Sequence, residues 1–272
     1  MKSPNLKKLF FSLNSLLRQL LKNEIELPRI SRTACLSIMG GVSPNSVPLA
    51  ITDKIIAEQN TDGGWVGPDD TMWNVLFLKL VGLGDSQMYH RGLQFLQKNV
   101  QQNLGWGRSM RDIPRIPVTG RVLHFLPELN DHDALNRLLN LWGKEKNSLT
   151  YKAASVLMAC KSGSMPSSNT IVEDAIGWLE KQQNDDGGFG PWRNHPAGSD
   201  VYCTALALLG IAQYYPCNPV IDKTVSWMAD TQLEIGLWEY HQIEDGAAWG
   251  WYALNAIQNA RTKVKQKTFA DV

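Results

Sequence analysis

Acid stands ahead of three apolar runs in this chain, as the adjacent pairs Asp69-Asp70 and Glu244-Asp245 and singly at Asp200. Each lies about one turn ahead of a run apolar enough to be a buried helix: Asn74-Val75-Leu76, Ala247-Ala248-Trp249 and Thr204-Ala205-Leu206. Asp at a helix start satisfies free N–H groups and the helix dipole, so any one of them reads equally well as a cap. Taken jointly they read as chemistry, because helix starts that converge on one cavity would turn several carboxyl groups toward its contents. His241 lies close to the second pair. Histidine is the side chain suited to taking a proton near neutral pH, although a hydrogen-bonded structural histidine accounts for the residue as well.

A second cluster is basic. The stretch from Trp106 to Arg121 carries Arg108, Arg111, Arg115 and Arg121 where another repeat would carry acid. Guanidinium forks bind a diphosphate, a carboxylate or a carrier's phosphate bidentately. The plainer alternative pairs Arg111 and Arg115 with Asp112 or with solvent. Trp73, Trp106, Trp192, Tyr202, Trp249 and Trp251 stand at or near the same helix starts, where they either line a substrate pocket or pack between hairpins. For Trp65, Phe189 and Trp238, packing is the expectation.

The elements that must position these residues are announced by an internal repeat. Gln59-Asn60-Thr61-Asp62-Gly63-Gly64-Trp65 recurs as Gln183-Asn184-Asp185-Asp186-Gly187-Gly188-Phe189 and as Gln232-Leu233-Glu234-Ile235-Gly236-Leu237-Trp238, with a shortened form at Gln102-Asn103-Leu104-Gly105-Trp106. Around these turns the apolar spacing is helical almost throughout. It predicts twelve helices, near 4–24, 30–40, 46–59, 70–83, 88–101, 117–127, 132–142, 150–161, 169–183, 200–214, 218–232 and 246–262. Helices that precede the Gly turns have a charged face and belong outside; those that follow are apolar on nearly every side and belong inside. The expected fold is all-α, an α/α toroid of six helical hairpins in two concentric rings, with an open solenoid as the alternative. Residues 1–272 form one domain, with a first hairpin over 1–45, five more over 46–262 and a tail over 263–272.

Gln-x-x-Asp-Gly-Gly-Trp resembles the repeat motif of squalene–hopene cyclases and their relatives, and the resemblance covers most of the chain. It implies the six-hairpin toroid that this family shares with the β subunits of protein prenyltransferases. Class II terpene cyclases carry Asp-x-Asp-Asp-Thr at an inner-helix start, the middle Asp protonating an alkene or epoxide. Here Gly67-Pro68-Asp69-Asp70-Thr71 matches the Asp-Asp-Thr half, so the resemblance makes Asp69 the proton donor and Asp70 its partner, with Gly67 in place of the first Asp. Such a donor must stay protonated near neutrality, through burial or a like-charged neighbour, and a carbocation needs aromatic faces around it. The prenyltransferase branch holds zinc with an Asp, a Cys two residues later and a His. Asp200-Val201-Tyr202-Cys203 puts the thiol one residue late and Ala248 stands near the His position, so no metal is expected. No cofactor is expected either; Mg2+ enters only if the substrate is a diphosphate.

Composition narrows the partners. Lys plus Arg nearly balance Asp plus Glu, for a net charge of +1, which excludes the basic footprint of a nucleic-acid binder. Cys35, Cys160, Cys203 and Cys217 are widely spaced, as buried reduced thiols would be. Leu6, Leu9, Phe10, Leu13, Leu16, Leu17 and Leu20 make an amphipathic first helix, interrupted by Asn14 and Arg18, and no segment is apolar enough to span a bilayer. A cytoplasmic protein is expected, with peripheral membrane contact through that first helix as a further option.

Three readings of function follow. The first is a single-domain cyclase or isomerase, initiating by proton transfer on a hydrophobic polyene of isoprenoid type. The second is a cyclase of another apolar intermediate, carrier-bound or meeting a partner protein, with the arginine loop as recognition element. The third is a non-catalytic binding toroid, for which the cavity should be plugged by side chains.

Overall fold

The computed structural model describes residues 3–145 and 148–270, with side chains to residue 266. Among the described residues there are twelve α-helices and no strand: α1 Leu6–Lys22, α2 Leu27–Met39, α3 Leu49–Ala57, α4 Pro68–Leu80, α5 Gln87–Lys98, α6 Ile116–Phe125, α7 His132–Glu145, α8 Thr150–Ser162, α9 Thr170–Gln182, α10 Val201–Ala212, α11 Pro219–Asp230 and α12 Ile243–Ala270. Each expected helix is present. α12 runs on to Ala270, through most of the stretch expected to be a tail.

The even-numbered helices form the inner ring. Each packs on the next in chain order, and α12 packs on α2, so the ring closes and the solenoid alternative is excluded. α10 shows why it is inside: Val201 and every residue from Cys203 to Ala212 are buried. α6 can lie close to α8 because a Cβ on Gly120 would come within 2.7 Å of the Ser155 carbonyl oxygen. The odd-numbered helices form the outer ring, each with one apolar stripe. On α1 that stripe is Leu9, Leu13, Leu17 and Leu20, all buried, and α1 packs on α12 and α2. Burying leucines of this kind contributes about 1.5–3 kcal/mol each. The leucines of α1 on which the membrane-contact expectation rests are thus part of the protein's own core.

The repeated turns explain the hairpins. Gln59 Nε2 donates to the Gly63 carbonyl at 2.8 Å, Gln183 Nε2 to Gly187 at 3.0 Å and Gln232 Nε2 to Gly236 at 2.8 Å. The same amide of Gln59 reaches the Met88 carbonyl in the next outer helix at 2.8 Å, and that of Gln183 reaches Val220 at 3.0 Å. The last copy reaches across the seam to the start of the chain, where Gln232 Oε1 accepts from Asn5 N at 2.6 Å. Gly63, Gly187 and Gly236 have φ of 94°, 93° and 87°, the left-handed region that glycine occupies without strain. The indole N–H of Trp65 donates to the Ile55 carbonyl, that of Trp106 to Leu96 and that of Trp238 to Met228, each ten residues back at 2.8–2.9 Å.

Two sequence expectations change here. The copy at Trp106 is not shortened: Leu104 N donates to the Gln101 carbonyl as Gly63 N does to Asn60, and Gln101 N to Gly105 as Asn60 N to Gly64. It is a turn of the same length with Val100 at the Gln position. Trp106 itself is 3% exposed and its indole N–H holds the hairpin, the packing alternative of its two expected placements.

Candidate active site

All six inner helices begin at one end of the ring, and their first turns set a polar layer over an aromatic one. Helical spacing makes the layers, because residues i and i+4 lie one above the other on the same face. Asp69 stands over Trp73 on α4, Arg121 over Phe125 on α6 and Asp245 over Trp249 on α12. Beneath the polar layer, the ring centroids of Trp73 and Phe125 are 5.2 Å apart, those of Trp73 and Trp249 6.0 Å and those of Phe125 and Trp249 6.2 Å. Tyr252 adjoins Phe125 and Trp249 from below. The toroid axis is therefore filled at this level.

The polar layer is an alternation of charge. Arg121 Nη2 donates to Asp69 Oδ1 at 2.9 Å and Oδ2 at 3.1 Å, and Arg121 Nη1 lies 3.5 Å from the Tyr202 hydroxyl. Burial works against the charge of Arg121, but Asp69, Tyr202 and Asp245 outweigh it and raise its pKa. Arg32 Nε sits 2.7 Å from Asp245 Oδ1. That distance makes an ion pair, yet the N–H is not aimed at the oxygen and both atoms lack an aligned hydrogen bond. Burial raises the Asp245 pKa, opposed by Arg32 and Arg121. Glu244 accepts from Arg29 Nε at 2.8 Å, a second pair across the α2–α12 seam.

Asp70 points away from Asp69, toward α2. Its carboxyl opens on a cleft of about 540 Å³ between α2, the end of α3 and α4, beside the fully buried Asn74, whose amide has no partner. Burial and then the charge of Asp69 raise its pKa from 3.8 to about 7, against the pull of Arg32. The expected division of labour between the two acids thus changes. Asp69, the expected donor, is the ion-paired acid facing the axis, and Asp70 is the one that keeps a proton near neutrality.

Over the axis, between α6, α8, α10 and the loop before α6, lies a cavity of about 380 Å³ lined by Tyr151, Tyr202, Tyr240, Arg108, Arg121 and Val118, among others. Tyr202 stacks on Tyr240 at 6.0 Å and meets the Trp249 edge at 5.9 Å, joining the cavity to the aromatic layer.

The remaining expected residues have other partners, although Asp200 and Arg115 also line the mouth cavity. Asp200 caps α10, accepting from Cys203 N at 2.8 Å. His241 is exposed, its ring 4.1 Å from that of Tyr240. Trp192 is 44% exposed against His195. Trp251 donates to the Ser37 carbonyl at 3.0 Å, sealing α12 to α2. Arg115 is held by Asp112 at 2.6 Å, which lowers the Asp112 pKa to about 2, and Arg111 is exposed. Among the described residues no three of His, Cys, Asp and Glu gather as a metal site, and Cys217 is exposed rather than buried.

Thr71 belongs to the repeat. Its Oγ1 accepts from Trp65 N at 3.0 Å, as Thr119 does from Trp106 and Thr204 from Phe189, neither of which follows an Asp pair. Of Asp-Asp-Thr, only the two acids are free for chemistry. Arg29, Arg32, Tyr151 and Tyr240 are the residues that sequence reasoning missed. For the arginines a signal existed, a basic pair one turn into an inner helix whose ring neighbour, α12, starts with an acidic pair.

No protein-family model matches the chain. It is similar to squalene–hopene cyclase of Zymomonas mobilis, 31% identical over 106 residues that cover 35% of this chain and 16% of that protein. It is also similar to the terpene cyclase–glycosyl transferase fusion protein fsoA of Humicola fuscoatra, 26% identical over 255 residues, 78% of this chain and 17% of that protein. The chain spans about a sixth of the length of these relatives. Among solved structures, a type II terpene cyclase MstE variant from Scytonema, in complex with geranylgeranyl dihydroxybenzoate as substrate, superimposes with a TM-score of 0.72 at 15% identity, over 94% of this chain and 99% of that one. A protein from Actinoplanes gives a TM-score of 0.67 at 16% identity, over 85% and 89%. The chain is class II terpene cyclase-like in sequence and has that toroid fold.

Proposed function

We propose that this toroid carries out acid-initiated cyclisation or isomerisation of an apolar, isoprenoid-type polyene seated in the mouth cavity. The observation that carries the reading is the acid–base layer set directly over the aromatic one. The similarity to a cyclase solved with a prenylated substrate supports the same class of chemistry here.

Asp69 and Asp70, neighbours on one turn, form a carboxyl pair in which one proton is retained near neutral pH, because like charges side by side resist joint ionisation. The shared proton rests mainly on Asp70 in its own cleft, and the form that acts is the one in which Asp69, loaded from solvent in the mouth, carries it at the axis. The carboxyl O–H bond breaks as a C–H bond forms at a terminal alkene carbon, leaving a carbocation, and Arg121 stabilises the carboxylate left behind. Alkene π-electrons close the rings. Aromatic faces from the layer below stabilise the moving charge, and loss of a proton from the last cation restores the balance without any co-reactant.

A non-catalytic binding toroid draws support from one observation, the filled axis beneath the mouth. Both readings meet in one experiment. Purified protein is incubated with linear isoprenoids, their diphosphates and prenylated dihydroxybenzoates, and products of unchanged mass but shifted chromatographic retention are sought. Asp69→Asn and Asp70→Asn should each abolish them. Full activity in both variants, or no product from any substrate class, would defeat the cyclase reading.

Among the described residues no helix is long and apolar enough to cross a membrane.

A further inference from the structure

We infer that the mouth cavity is built to hold an oxyanion head group, a carboxylate or a diphosphate, at the end of the apolar chain, gripped by Arg121 from below and Arg108 from the lip. The inference rests on the cavity being the substrate chamber proposed above and adds the chemical class of the substrate's polar end.

Four observations converge on it. Arg121 lines the cavity and is 8% exposed, yet its Nε has no partner; its two Nη atoms are directed to Asp69 and Tyr202. A buried N–H donor left open costs about 1–3 kcal/mol, more when charged, and a ligand oxygen would recover it. Arg108 also lines the cavity, and its guanidinium has no partner among the described residues. Its cationic neighbours are committed, Arg115 to Asp112 and Lys152 to Glu145.

The third observation is the row of hydroxyls. Tyr151, Tyr202 and Tyr240 all face the cavity, and burial raises the pKa of each, so they stay protonated and able to donate to an anion. Fourth, α6 begins at the cavity without a side-chain cap, turning the positive end of its dipole toward the space; α8 also begins there, with Thr150 N donating to the Pro191 carbonyl at 2.8 Å. Two carboxylates, Asp200 and Glu145, also line the space, but Asp200 accepts from Cys203 N and is held against α10, and Glu145 is paired with Lys152.

The test measures binding rather than turnover, with three ligands that share one chain: geranylgeranoic acid, geranylgeranyl diphosphate and geranylgeraniol. Isothermal titration should show at least one anion binding about tenfold or more tighter than the alcohol. Raising the salt from about 50 to about 500 mM should narrow that gap. Arg108→Gln, on the exposed lip, should cut the anion-over-alcohol ratio by about tenfold and leave the alcohol's affinity alone, whereas Arg108→Lys should keep most of it. The relative affinity of the acid and the diphosphate identifies which oxyanion fits. An alcohol that binds as tightly as both anions, or an Arg108→Gln ratio equal to the parent's, overturns the inference. These outcomes are separable from failure of the cyclase reading: tight anion binding without product sinks only the chemistry, and cyclisation of the alcohol without anion preference sinks only the head group.

Discussion

Replacing Asp70 with Asn should make this protein more stable at alkaline pH while removing its activity. The native carboxyl has a pKa of about 7 against an ordinary 3.8. At about 1.36 kcal/mol per unit the shift corresponds to about 4 kcal/mol. Water entering the cleft beside Asp70 screens part of this, and about 2 kcal/mol is the expected gain. Between pH 3.8 and about 7 the folded chain holds a proton that the unfolded chain has lost, so stability falls as pH rises through that window and is lowest above it. Asn never ionises, so the advantage of the variant should be absent near about pH 4 and complete near about pH 8. Urea denaturation of parent and variant at those two pH values reads the difference as a shift in midpoint at constant slope. In the parent, turnover should decline by roughly tenfold per unit above about pH 7, as the carboxyl pair loses the one proton it retains. A variant no more stable than the parent near pH 8, or equally favoured near pH 4, would show that the surroundings do not hold this carboxyl neutral, and its role as proton carrier would fall with that.

The adjacent acid should behave in the opposite way. Asp69→Asn or Arg121→Met each leaves a buried charge unpaired and should cost about 3–5 kcal/mol, while the double variant should recover much of the loss, as a double-mutant cycle in urea would show. Gly236→Ala should open the ring at its seam, since the residue has φ of 87° and a Cβ there would lie 2.7 Å from Leu9 N. Limited proteolysis should then release α1 first, at a stability cost of about 1–3 kcal/mol. Asp200→Asn keeps an acceptor for Cys203 N and should change stability by less than about 0.5 kcal/mol with turnover intact, whereas Asp200→Ala should cost about 1 kcal/mol. Loss of turnover in Asp200→Asn would move the acid from α4 to α10.

The hairpins were legible in the chain because the repeat is held together locally. Gln59 bonds four residues ahead and Trp65 ten residues back, so residue types at short fixed spacings mark the turn wherever it occurs. The Trp106 copy reads as shortened in sequence because Val100 lacks the amide that announces the pattern, although the turn has the same length and backbone hydrogen bonds. Nearness to a helix start does not say which way a ring points: Trp106 and Trp251 bond to neighbouring backbone, and Trp192 lies on the surface. Thr71 reads as part of an acid motif in sequence, but Thr119 and Thr204 make the same hydrogen bond in other copies of the turn.

By itself the sequence determined the all-α hairpins, their inner and outer faces and the end of the ring at which acids, arginines and aromatics collect, since these depend on periodicity and on bonds within one hairpin. Closure of the ring, the filling of its axis and the different fates of Asp69 and Asp70 were decided only in three dimensions. Adjacent helical residues point about 100° apart, so two side-by-side carboxyls meet different partners. Asp69 is paired with Arg121, 52 positions away, while Asp70 faces a cleft that exists only because α2 and α4 pack together.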